Sequence, residues 1–155
     1  MFRISVLVAL LSLGLLVACG DDPDSWNELD QALGGRTING CETKDYQDLR
    51  GETSVTITDI SAWVNDPPHK ACIGVRAGTT VTWEGNFGDH PLVGGETATP
   101  DDDSPITAAN ATSGTDPVSV TFSASDLTDP TRGGAFPYFC TVHEAQMQGV
   151  IVVFP

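Results

Sequence analysis

The sequence predicts an all-β fold, a Greek-key β-sandwich or barrel of about seven or eight strands. Short runs alternate apolar and polar residues, Gly, Pro, Asn and Asp fill nearly every gap between them, and no long stretch carries a helical period. Glu52–Thr58 (ETSVTIT) alternates and sets Val55 and Ile57 on one face. Ala71–Val75 (ACIGV) is a second strand, and Ala77-Gly78 turns into a third, Thr79–Trp83, with Val81 and Trp83 facing the same way. Gly85, Gly88 and Gly94-Gly95 bracket a short strand from His90 to Val93. Val118–Phe122 (VSVTF) alternates again, and Phe136–Cys140 and Val150–Phe154 close the set.

Two stretches stand outside this pattern. Residues 19–40 are polar and broken by Asp21-Asp22-Pro23-Asp24 and Gly34-Gly35, with one short helical turn from Trp26 to Leu33, and they read as a flexible tether to a domain of residues 41–155. Glu96–Pro117 is rich in Thr, Asp, Ala and Gly, and is longer than the about 12–15 residues of most loops, so it is expected to be functional or partly disordered. Asp101-Asp102-Asp103 lacks the ligand spacing of a calcium loop and reads as a solvated acidic turn.

The N-terminus places the chain in a compartment. Arg3 precedes an apolar run, Ile4–Val17, that is shorter than the about 17–25 residues of a membrane span, so residues 1–18 read as a signal peptide. Leu16-Val17-Ala18-Cys19 followed by Gly20 resembles a bacterial lipobox, which makes Cys19 the expected lipidation site; plain secretion or an uncleaved anchor are the alternatives. The chain is expected to be exported, on the periplasmic or cell-envelope side, and tethered by lipid to a bacterial membrane. A formal net charge of −14 argues against nucleic acid and anionic lipid surfaces as ligands, and favours basic partners at low salt.

Four cysteines remain to be placed in that oxidising setting. Cys19 belongs to the lipobox and Cys140 to the cluster described next, which leaves Cys41 and Cys72 as the expected disulfide; two free thiols or a second metal site are the alternatives. Closing a loop of about 31 residues contributes roughly 3–4 kcal/mol on the chain-entropy account.

The chemistry concentrates near the C-terminus, where Tyr138-Phe139-Cys140-Thr141-Val142-His143-Glu144-Ala145-Gln146-Met147 brings a thiol, an imidazole and a thioether onto the connection between the last two strands. Thiolate and thioether suit Cu(I), and imidazole suits both copper oxidation states. A second imidazole is available from His90, in His90-Pro91-Leu92, which the fold must bring to Cys140 across a separation too long for one local loop. Each residue also has an ordinary reading: His90 as a surface turn bonded to Asp89, His143 as a loop histidine, Cys140 as a buried thiol, Met147 as core filler. His69, after Pro67-Pro68, has no candidate partner ligand nearby.

These motifs resemble the blue-copper (cupredoxin, plastocyanin/azurin-like) family, most of all its plastocyanin-like bacterial lipoproteins. The resemblance is carried by Ala71–Trp83 (ACIGVRAGTTVTW), His90-Pro91-Leu92, Phe136–His143 (FPYFCTVH) and Met147–Val153 (MQGVIVV). It implies a cupredoxin-like sandwich holding one type 1 copper ion on His90, Cys140, His143 and Met147, and one-electron transfer with His143 as the exit. Two departures stand out. Plastocyanin-like members usually place four residues between the second His and the Met, whereas this chain has Glu144, Ala145 and Gln146; Gln146, or no axial ligand at all, is the alternative to Met147. Family members often follow the first His with Asn, whose N–H points at the thiolate, and this chain has Pro91, which has no N–H.

The expected function is therefore that of a monomeric electron carrier at a membrane surface, not an enzyme, exchanging electrons with basic, cytochrome-like redox proteins. No second His cluster and no nucleophile–base pair argue for further chemistry. The alternative is a copper-binding module for storage, delivery or stress protection, against which the low count of Met and His residues argues.

Overall fold

The computed structural model describes residues 23–58, 71–109, 111–128 and 132–155. The proposed signal peptide, Cys19 and His69 lie outside them. Helix α1 (Pro23–Leu33) is followed by a 3-10 turn (Thr43–Asp45) and strands β1 (Gln47–Asp48), β2 (Ser54–Ile57), β3 (Cys72–Arg76), β4 (Thr80–Trp83), β5 (Leu92–Glu96) and β6 (Thr99–Pro100). The short helix α2 (Pro105–Ala108), strand β7 (Val118–Thr121), a second 3-10 turn (Ala124–Thr128), β8 (Ala135–Cys140) and β9 (Gln148–Phe154) complete the order.

The strands form a sandwich. A six-stranded sheet has the order β1-β3-β9-β8-β5-β6, and a three-stranded sheet has the order β2-β4-β7. The chain changes sheet at every step from β1 to β5 and again between β6 and β7 and between β7 and β8, so neighbours in a sheet are seldom neighbours in sequence. In consequence β3 runs parallel to β9, with Ile73 opposite Ile151. The alternation legible in the sequence fills the space between the sheets: Ile57, Val81, Trp83, Val120 and Phe122 meet Ile73, Val75, Phe136, Tyr138, Ile151 and Val153. Trp83 sets its edge against the Tyr138 ring, with centroids 5.4 Å apart.

The other face of the larger sheet is also buried, and this corrects the reading of residues 19–40 as a tether. From Pro23 onward the segment belongs to the folded unit. Leu29 and Leu33 of α1, with Ile38, Cys41 and Tyr46, pack on Val150, Val152 and Phe154 of β9. The segment is tied at several points. Arg50 pairs with Glu28 of α1 and lies over the Phe154 ring, its carbon 5.0 Å from the centroid. The Asn39 amide nitrogen donates to the carbonyls of Gly95, Tyr138 and Gly149. Cys41 and Cys72 form a disulfide with Cα atoms 5.8 Å apart.

The polar stretch after β5 is folded as well. It pairs β6 with β5, then caps α2 with the Ser104 hydroxyl, which accepts from the Ile106 N–H, and drives Ile106 and Ala111 into the main core. Arg132 grips the Asp101 carboxylate with both guanidinium nitrogens, so this member of the acidic triplet is an anchor for the segment. Gly94 is required where α2 meets the sheet, because a Cβ there would overlap the Ser104 hydroxyl.

Candidate metal centre

Three donor atoms converge at one end of the sandwich. Cys140 ends β8, opposite Leu92 of β5, and is fully buried. His90 lies on the loop between β4 and β5, and His143 on the connection between β8 and β9. His90 Nδ1 is 3.1 Å from His143 Nδ1, and Cys140 Sγ is 3.9 Å from the first and 4.0 Å from the second. These are the three residues of a group able to hold a metal ion. The point in their plane equidistant from the three atoms lies about 2.15 Å from each, between the roughly 2.0 Å of imidazole and 2.3 Å of thiolate bonds to a first-row ion such as zinc. The donor set and its spacing fit a small soft-to-borderline metal ion.

Each donor is held by its own local structure. The loop carrying His90 is organised by Asn86, whose carbonyl accepts from the His90 N–H at 2.9 Å. Its side-chain oxygen accepts from the N–H of Gly88 and Asp89, and its amide nitrogen donates to the Asp89 carboxylate at 2.6 Å. Asp89 is thus bonded to Asn86, and the His90 Nδ1 is directed at the other two donors. On the Cys140 side, the Thr141 N–H donates to the Pro91 carbonyl at 3.1 Å, which fastens the two ligand-bearing loops together. The carbonyl of His143 accepts from the N–H of Gln146 and of Met147, closing a tight turn over the three intervening residues.

Met147 is buried in the core between the sheets. Its carbonyl accepts from the Cys140 N–H at 2.8 Å, one step beyond the Phe139–Gln148 pair, so the side chains of Cys140 and Met147 leave the sheet on the same face. Gln146 is exposed. The burial of the donors is graded: Cys140 is buried, His90 half-buried and His143 exposed. Beside His143, Val142 is 60% exposed. Tyr138 and Trp83 belong with Cys140 to the main core, and burial pushes the Tyr138 phenol far above its usual range.

No family model matches the chain. No curated protein matches it either. Among solved structures, a copper-containing nitrite reductase from Thermus scotoductus SA-01 is similar at 16% identity and a TM-score of 0.40. The alignment covers 74% of this chain and 29% of that one, so the chain spans under a third of that structure's length. A likeness of this depth assigns neither family nor activity, and the functional reading rests on the residues of the site.

Proposed function

We propose that the chain holds one copper ion on Cys140, His90 and His143, with Met147 as a weak axial donor, and carries single electrons. The observation that supports this best is the convergence of one thiol and two imidazole nitrogens, brought from two loops to a triangle of bonding size. Copper bound there would supply a one-electron couple. The protein's part is to keep the donors in one place in both oxidation states, and the strand end at Cys140 and the Pro91–Thr141 bond do this.

The direction of use follows from exposure. His143 reaches solvent next to Val142, while Cys140 is enclosed. Asp89 and Glu144 lie in the two ligand-bearing loops, and among the described residues no Lys or Arg does. A redox protein with a basic rim around an apolar centre fits that end. This reading makes the chain a carrier and not an enzyme. With Cys19 as the lipid attachment, it would work at a membrane surface on the exported side, and α1 would begin only a few residues from the anchor.

The test is Cu(II) addition to the purified domain, followed by ascorbate and reoxidation. An intense thiolate-to-copper band that bleaches and returns, and that is lost in Cys140→Ser, is the expected result. A wild-type protein without such a band, or one binding only Cu(I), would sink the carrier reading and favour copper storage or delivery.

A further inference from the structure

The loop that presents His90 is organised internally by Asn86, but bonds within a loop do not hold it to the sandwich. The Phe87 side chain, buried in the main core, does, and so, beyond the Glu84–Ile57 bond at the start of the loop, do three backbone hydrogen bonds. One is the Thr141–Pro91 bond at the ligand connection. The other two come from the polar segment after β6. The Phe87 N–H donates to the Gly114 carbonyl at 2.8 Å, and the Leu92 N–H donates to the Ala111 carbonyl at 2.8 Å. They bracket His90, one three residues before it and one two residues after. The segment making them is itself fixed, with Ile106 and Ala111 in the core, Asp101 held by Arg132, and the Thr107 hydroxyl bonded to the Asp101 carbonyl and the Gly94 N–H.

We propose that the segment Ala111–Gly114 is a positioning element for the metal site: it clamps the His90 loop so that His90 Nδ1 stays within bonding reach of Cys140 and His143 when no metal is bound. This rests on the metal-binding reading above and assigns a task to the long polar insertion. A loop that reached its binding-competent position only part of the time would lose apparent affinity in proportion to that fraction. Clamped from two sides, His90 would be pre-organised for the ion and would move little when the electron arrives.

Gly114 offers a clean way to open the clamp. Its φ is +79°, and a Cβ there would meet nothing within 4 Å, so a substitution acts first through backbone conformation. Valine disfavours that conformation and would rotate the carbonyl away from Phe87, whereas asparagine tolerates it. In the metal-free protein, Gly114→Val is expected to speed hydrogen exchange at the Phe87 amide while Gly114→Asn leaves it slow. With Cu(II) as the probe, the Val variant is expected to bind about tenfold more weakly and to broaden the EPR signal, with the Asn variant like the wild type. If Gly114→Val does not fold, Gly114→Ala, a milder strain, carries the same readouts. Two results overturn the proposal: a wild-type Phe87 amide that exchanges as fast as an open loop, or a loosened clamp with unchanged copper affinity and EPR spectrum. A wild type with no thiolate-to-copper band removes the metal-binding reading and this proposal together, and so is distinguishable from failure of the clamp alone.

Discussion

Cys140 and Met147 sit directly opposite each other where the last two strands part, joined by the Cys140 N–H and the Met147 carbonyl at 2.8 Å. Residues so paired project to the same face, and both side chains lie in the core between the sheets. The three-residue spacing after His143 is thus absorbed in the turn: the His143 carbonyl takes the N–H of both Gln146 and Met147, and the pairing with Cys140 is kept.

Met147→Leu conserves volume and is expected to cost less than about 1.5 kcal/mol of stability. A thioether on the axis stabilises Cu(II) weakly, so its removal is expected to raise the reduction potential while the thiolate band persists. Redox titration of the two proteins checks this; an unchanged potential would mean that Met147 is packing only.

Pro91 has no N–H to offer the thiolate, and among the described residues the polar groups near Cys140 Sγ are the two imidazole nitrogens. Pro91→Asn keeps the carbonyl that accepts from Thr141 and adds a donor. A hydrogen bond to the sulfur withdraws charge from it, so the variant is expected to titrate at a higher potential. A potential equal to or below that of the wild type refutes the assignment.

The Cys41–Cys72 disulfide closes a separation of 31 residues and ties the segment after α1 to β3. Replacing both cysteines by alanine is expected to cost about 3–4 kcal/mol, measured as the fall in denaturation midpoint. Both lie in the outer cluster beneath α1, away from the donor triangle, so the copper spectrum is expected to stay the same. A changed spectrum would show that the two regions are coupled.

Tyr46 is buried under the same helix, and among the described residues its hydroxyl has no hydrogen-bond partner. Burial first, and the Asp45 charge second, push its phenol well above the ordinary value. Stability linked to it is complete at neutral pH and falls as pH rises past about 10, where the unfolded phenol ionises and the folded one keeps its proton. Tyr46→Phe is expected to be neutral or stabilising at pH 7, because it removes an unsatisfied buried group, and to flatten the alkaline decline. Denaturant melts across that pH range decide; a variant clearly less stable at pH 7 contradicts the reading.

The sandwich was largely legible in the sequence. All seven strands read from the sequence are present, with ends shifted by at most three residues; for β2, β4 and β7 the cue was period-two patterning, a local property of a half-buried strand. The candidate donors were legible for the same reason: residue type and order are printed in the chain. The packing of α1 was missed, although a cue was there. Val150-Ile151-Val152-Val153-Phe154 is apolar without alternation, as befits a strand covered on both faces, and a second layer had to exist to cover it. The insertion was missed because its ordering comes from single anchors, Ile106, Ala111 and the Asp101–Arg132 pair, that leave no period.

By itself, then, the sequence determined the strands other than the two-residue β1 and β6, the acidic charge and the chemical nature of the candidate donors. Tertiary structure alone decided that α1 is a layer of the fold, that the polar insertion braces the His90 loop, and that His90 Nδ1 stands 3.9 Å from Cys140 Sγ across 50 residues of chain. Periodicity and residue type act within a strand or turn, whereas these three relationships arise only when distant segments compete to bury apolar surface and satisfy backbone hydrogen bonds together.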